Sequence, residues 1–141
     1  MSAPPAPGAS PRPETGRRRV LAGIGLAIVV AAGLGVHAFL PDTAGSDIAG
    51  DALYAVAAYL AVVFVAPRVP AIAVGALAAG WCVAVELFQL TGVPEALSAF
   101  PPAMLVLGTV FDARDLVVYV LTIAAATLVD TLLTSQRGAG R

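Results

Sequence analysis

Apolar residues fall in four long runs along the 141-residue chain, and prolines and acids separate them. The first run, Val20 to Leu40, carries no charge and holds His37 as its only titratable group. At ~1.5 Å rise per helical residue it reaches about 31 Å, the thickness of a bilayer's hydrocarbon core. Pro41 ends it. The second run, Ile48 to Ala66, is stopped by Pro67, and Ser46 or Asp47 can cap its start. The third, Pro70 to Leu90, has proline at the favoured first helical position and Gly92 just past its end. Glu86 and Gln89 lie inside it. The fourth runs from about Asp115 to Leu133, with Asp130 near its far end.

The chain's prolines all fall outside these runs or at their edges. In lipid every backbone polar group must be satisfied internally, so prolines mark where helices stop. The longest connection is Thr91 to Ala113. It contains Pro94, Pro101 and Pro102, then the apolar run Ala103 to Phe111, which is too short to span. An interfacial helix or a segment packed against the bundle fits that run. The pattern therefore predicts an all-α integral membrane bundle of four transmembrane helices with a short external interfacial segment. The spans are expected at about 20–40, 48–66, 70–90 and 115–133. Residues 1–19 read as a disordered, Pro- and Arg-rich cytoplasmic tail, 20–133 as the transmembrane domain and 134–141 as a second cytoplasmic tail.

Composition supports this and excludes other classes. Hydrophobic residues make up 59% of the chain and charged residues 12%, where a soluble domain carries roughly 25% charge. A disordered protein, a nucleic-acid binder and an ordinary soluble enzyme are excluded. The eight basic residues are all arginine. With the amino terminus inside, Arg12, Arg17, Arg18, Arg19, Arg68, Arg137 and Arg141 are cytoplasmic, and only Arg114 is outside. Asp42, Asp47, Asp51, Glu95, Asp112 and Asp115 collect at the external side. The expected location is a bacterial cell membrane, multi-pass, with both termini cytoplasmic. The stretch from Thr15 to Leu21 is similar to a twin-arginine export signal, with Val36-His37-Ala38 as a weak cleavage site. Its apolar run is longer than the usual ~7–15-residue signal core and further spans follow it, so the first span is expected to stay uncleaved.

The polar residues left inside or beside the spans are the candidates for chemistry. Glu86 sits about one turn from the end of its span, where a carboxyl group is costly unless protonated, paired or hydrated. Gln89 shares its face. Asp51 and Tyr54 share a face of the second span. Asp112 and Asp115 have capping-box spacing at the start of the fourth span, and Tyr119 can extend a polar stripe inward from them. Arg114 can be the counter-ion of Glu86 or of a neighbouring aspartate. Interhelical hydrogen bonding and helix capping are the structural alternatives to a binding role. Asp130 can simply reach water at the cytoplasmic boundary. His37, Cys82, Trp81, Phe64 and Phe88 read as packing or interface residues. Small residues repeat every four positions at Ala27, Ala31 and Gly35 and at Gly75 and Ala79, which favours close helix packing. No zinc, nucleotide or serine-hydrolase motif is present, so no metal ligands and no cofactor are expected.

Three elements carry a family resemblance. They are Gly50-Asp51-Ala52-Leu53-Tyr54, Glu86-Leu87-Phe88-Gln89, and the stretch from Leu107 to Tyr119 that includes Phe111-Asp112-Ala113-Arg114-Asp115. Set in this order on successive spans, they resemble the small bacterial membrane proteins grouped as domain of unknown function 2809. The resemblance covers about Val20 to Leu133. The arrangement is also similar to VanZ-like proteins, in which a Glu-x-x-Gln helix precedes an Asp-led helix. An Asn and a Gly typically follow that Asp, whereas Tyr119 and Thr122 stand here, so the glycopeptide-resistance role of some VanZ-like proteins is not carried over. The resemblance implies fold, topology and candidate positions, and no reaction.

The first functional expectation is a non-enzymatic membrane protein. Asp51, Glu86, Gln89, Arg114, Asp115 and Tyr119 would form its external polar site, binding a cell-envelope lipid or a peptidoglycan precursor. The bilayer is its expected surrounding, nucleic acid is not a partner, and a homo-oligomer is left open. One alternative is an enzyme whose carboxylates hold Mg²⁺ or Mn²⁺ and act on a lipid phosphate. Another is a small proton-linked transporter, which lacks an ionisable residue at mid-membrane.

Overall fold

The computed structural model describes residues 13–96, 99–100, 104, 106–108 and 110–139. Four long helices, each long and apolar enough to cross a membrane, make up most of it. They are α1 (Pro13–Phe39), α2 (Ala44–Val65), α3 (Ala71–Gln89) and α5 (Ala113–Ala139), and the short α4 (Val93–Ala96) follows α3. Residues 1–12 of the expected amino-terminal tail, Pro101, Pro102 and the side chains of Glu95, Arg137 and Arg141 lie outside the described residues.

Local chemistry sets most of the helix ends. α2 starts earlier than Ile48, because Thr43 rather than Ser46 or Asp47 is its cap. The Thr43 hydroxyl accepts the Ser46 N–H at 3.3 Å, and the Ser46 hydroxyl accepts the Thr43 N–H at 2.9 Å. This reciprocal box satisfies two of the amide groups that a helix start leaves open. Pro70 caps α3 from just outside the helix rather than occupying its first position, and its carbonyl accepts the Val74 N–H at 3.0 Å. α1 begins ahead of the apolar run and carries Arg17, Arg18 and Arg19 on helical backbone. Arginine is a good helix former, and Glu14 in the first turn suits the helix dipole.

α2 is the hub of the bundle and packs against α1, α3 and α5, while α3 also packs against α5. The core combines Ala55, Tyr59 and Val63 of α2 with Val74, Ala78 and Cys82 of α3, Tyr119 and Ile123 of α5 and Ala22 of α1. Much of the remaining apolar surface faces outward, including Ile24, Ile28, Ile72, Leu87, Leu121 and Leu128. So large an apolar exterior is incompatible with water and neutral in lipid. Gly75 lets α3 approach α5, because a Cβ there would run into the Thr127 hydroxyl.

Arg18 organises one end of the bundle. Its Nη1 donates to the carbonyls of Pro67 at 2.9 Å and Val69 at 2.8 Å, and its Nη2 donates to Asp130 at 2.6 Å. The Tyr59 hydroxyl donates to the same Asp130 oxygen at 2.9 Å. Asp130 therefore does not simply reach water. It is the shared acceptor of α1 and α2 in an ion pair whose two side chains are each only 19% exposed. Arg19 donates to the carbonyl of Phe64 at 3.1 Å, which satisfies an open acceptor at the end of α2. The acids Asp42, Asp47, Asp51, Asp112 and Asp115 gather at the opposite end.

Candidate functional site

At that opposite end α2, α3 and α5 bring Asp51, Glu86, Gln89, Arg114, Asp115 and Tyr119 together. Asp51 and Asp115 lie carboxyl to carboxyl, within hydrogen-bond reach of one another. Tyr119 comes within reach of Glu86 and stacks at a tilt on Tyr54, with ring centres 5.8 Å apart. Each residue is held by its element. Asp51 follows the Thr43 cap by two turns, and Asp115 and Tyr119 are successive turns of α5. Glu86 and Gln89 lie on the buried face of α3 with Cys82 and Val85.

Glu86 is fully enclosed. Its Oε2 accepts the backbone N–H of Asp112 at 3.4 Å. Asp112 caps α5 by accepting the Arg114 N–H at 2.8 Å. The expected box between Asp112 and Asp115 is thus divided. Asp112 supplies the cap, and Glu86, from another helix, takes the Asp112 N–H that Asp115 would have taken. Asp115 is left facing Asp51. Arg114 does not pair with Glu86. It sits 3.6 Å from Asp47, 3.7 Å from Asp112 and 3.6 Å from Asp115.

Described residues of the connection between α4 and α5 reach this cluster. Gln89 donates its amide N–H to the carbonyl of Leu107 at 2.7 Å, and the Tyr54 hydroxyl donates to the carbonyl of Val106 at 2.6 Å. Trp81 in turn donates its indole N–H to the Tyr54 hydroxyl at 3.0 Å, a role beyond packing. The expected short segment Ala103 to Phe111 is therefore tied to the bundle where it is described; Ala103, Leu105 and Thr109 lie outside the described residues. Gly108 has φ 61°, a left-handed backbone that glycine adopts without cost, and it lies hard against the Gln89 amide. Gly108 and Asp47 were not singled out as site residues from the sequence, and Tyr54, noted there beside Asp51, was not expected to pair with Trp81. Gly108 carries a signal there as a glycine inside a short apolar run, and Tyr54 as the residue that shares a helix face with Asp51.

Two cavities adjoin the cluster. A polar cleft of about 540 Å³ is lined by Asp42, Asp47, Asp51, Gln89, Arg114 and Asp115, with His37 at its edge. A second cavity of about 400 Å³ runs on between apolar side chains such as Val29, Leu34, Leu53 and Val106. Gly33, His37, Gly50, Asp51, Gln89, Gly108 and Tyr119 border both. Among the described residues no group of three or more His, Cys, Asp or Glu stands ready to hold a metal ion.

A family model described as Protein of unknown function (DUF2809) matches residues 40–123, which include every residue of the cluster. No curated protein and no solved structure matches the chain.

Proposed function

We propose that this chain, which belongs to the DUF2809 family of proteins of unknown function, is a membrane-embedded binding protein for an amphiphile of the cell envelope. The observation that carries the reading is the shared wall of the two cavities. A polar half and an apolar half meet at Asp51, Gln89 and Tyr119. Their volumes fall in the roughly 300–1,000 Å³ range of small-molecule sites. A molecule with a polar head and an apolar chain fits both halves at once.

The arginines support an orientation with both termini cytoplasmic and the cleft at the external leaflet of a bacterial cell membrane. A lipid head, or the lipid-linked precursor of the wall, is then within reach. Binding is favoured over phosphoryl chemistry. Arg114 is the only arginine on the described lining, and three acids already surround it.

Gly50 provides the test. It borders both cavities, and a Cβ there would meet no atom within 4 Å. Gly50→Leu should fill the junction without disturbing the helix, where Leu is the better helix former. Native mass spectrometry of protein extracted from membranes should show a retained amphiphile in wild type and loss of it in Gly50→Leu. Equal retention in a folded variant would remove the junction as the site.

A further inference from the structure

We infer that the occupant of the cleft is an amphiphile with a primary ammonium head, seated among Asp51, Gln89 and Asp115, with its alkyl chain in the apolar cavity. The inference rests on the amphiphile reading above and names the head group.

The unsatisfied atoms decide the chemistry. Asp51 Oδ2 and Gln89 Oε1 are enclosed and accept no hydrogen bond from a described protein donor, and the Asp115 Oδ1 beside them has Arg114 only at ion-pair range, 3.6 Å away. All of them are acceptors. Gln89 is only 8% exposed and borders both cavities. Its orientation is fixed, because the Leu107 carbonyl can only accept and so must face the amide N–H. The Gln89 oxygen is therefore left without a donor. A buried acceptor without a donor costs roughly 1–3 kcal/mol. A primary ammonium carries three N–H donors and no acceptor. It would donate to the Asp51 and Gln89 oxygens and take the place of the proton that lets the facing Asp51 and Asp115 carboxyl groups lie so close.

Charge points the same way. Asp42, Asp47, Asp51 and Asp115 line the cleft, and the basic side chains on the described lining are Arg114 and His37. A phosphate head would bring further negative charge to a wall that already carries four aspartates. A bare metal ion finds no cluster of three ligands among the described residues. An organic cation with an apolar tail meets both halves of the cavity.

The experiment uses the full chain in phosphatidylcholine liposomes, whose lipid carries no primary amine. Dodecylammonium, dodecyltrimethylammonium and dodecyl phosphate are titrated in turn. The readout is fluorescence of the single tryptophan, Trp81, which hydrogen-bonds the Tyr54 that borders the apolar cavity. Dodecylammonium should bind saturably and about tenfold or more tighter than the trimethyl probe, which has the charge but no donors. Asp51→Asn, which is close in shape and hands Asp115 a donor, should weaken it about tenfold. Equal affinity for the two ammonium probes would overturn the donor match. Saturable dodecyl phosphate binding that Gly50→Leu abolishes would overturn the ammonium head and leave the amphiphile reading standing. If no probe binds saturably, both fall.

Discussion

Glu86 on α3 accepts the backbone N–H of Asp112 at the threshold of α5, 3.4 Å away. A buried carboxylate thereby completes the amino-terminal cap of a different helix and fixes the angle at which α5 enters the bundle. Removing it leaves the amide without an acceptor. Glu86→Ala should destabilise the protein by about 1–3 kcal/mol, and Glu86→Gln, which keeps an acceptor oxygen, by less. Thermal unfolding in detergent reads both, and an unchanged midpoint for Glu86→Ala would show that the tie carries no weight.

The Arg18–Asp130 pair locks the other end. Arg18→Ala and Asp130→Ala should each destabilise, and the double mutant should lose less than the sum. A coupling of ~1–3 kcal/mol is expected, below that of a fully buried pair because both side chains keep some contact with solvent. Arg18→Lys should not rescue, since a single ammonium cannot reproduce the planar fork that reaches Pro67, Val69 and Asp130 together. A double-mutant cycle by denaturant unfolding measures this, and strict additivity would contradict the lock.

Gly75 is a packing requirement. Gly75→Val should force α3 from α5 at Thr127, whose branched side chain is held by donating to the Ile123 carbonyl at 2.8 Å. The cost expected for such overpacking is ~1–3 kcal/mol. Thr127→Ala in the same background should recover part of it, as read by unfolding midpoint.

Gly108→Ala tests the cover of the site. The left-handed backbone costs an alanine about 1–2 kcal/mol, and the added methyl would press on the Gln89 amide. Binding of the amphiphile should weaken while the helix content by circular dichroism holds. Unaltered binding would separate the Gln89–Leu107 contact from the site.

Orientation has its own readout. Asp42→Cys should react with a membrane-impermeant maleimide added to intact cells, and Ser135→Cys should react only after lysis. The native Cys82 is buried and stays silent in both. The reverse pattern would invert the proposed topology.

The helices themselves were legible in the sequence. Four apolar runs bounded by prolines specify four membrane-length helices, because lipid leaves an unpaired backbone no other solution. The acids at one end were legible too, since a charge that must avoid hydrocarbon collects at a helix end. Pairing was not. Arg114 and Glu86 look like partners by depth, yet Glu86 takes an amide from α5 and Arg114 takes the acids beside it. Asp130 looks like a surface acid, yet it receives Arg18 from the far end of the chain. Which side chains meet depends on the rotation of each helix about its axis. The packing of α3 on α5 at Gly75 and the return of the connection at Gly108 help fix that rotation. Only in the folded bundle do Asp51 and Asp115 face one another, beside a Gln89 oxygen that no described donor reaches.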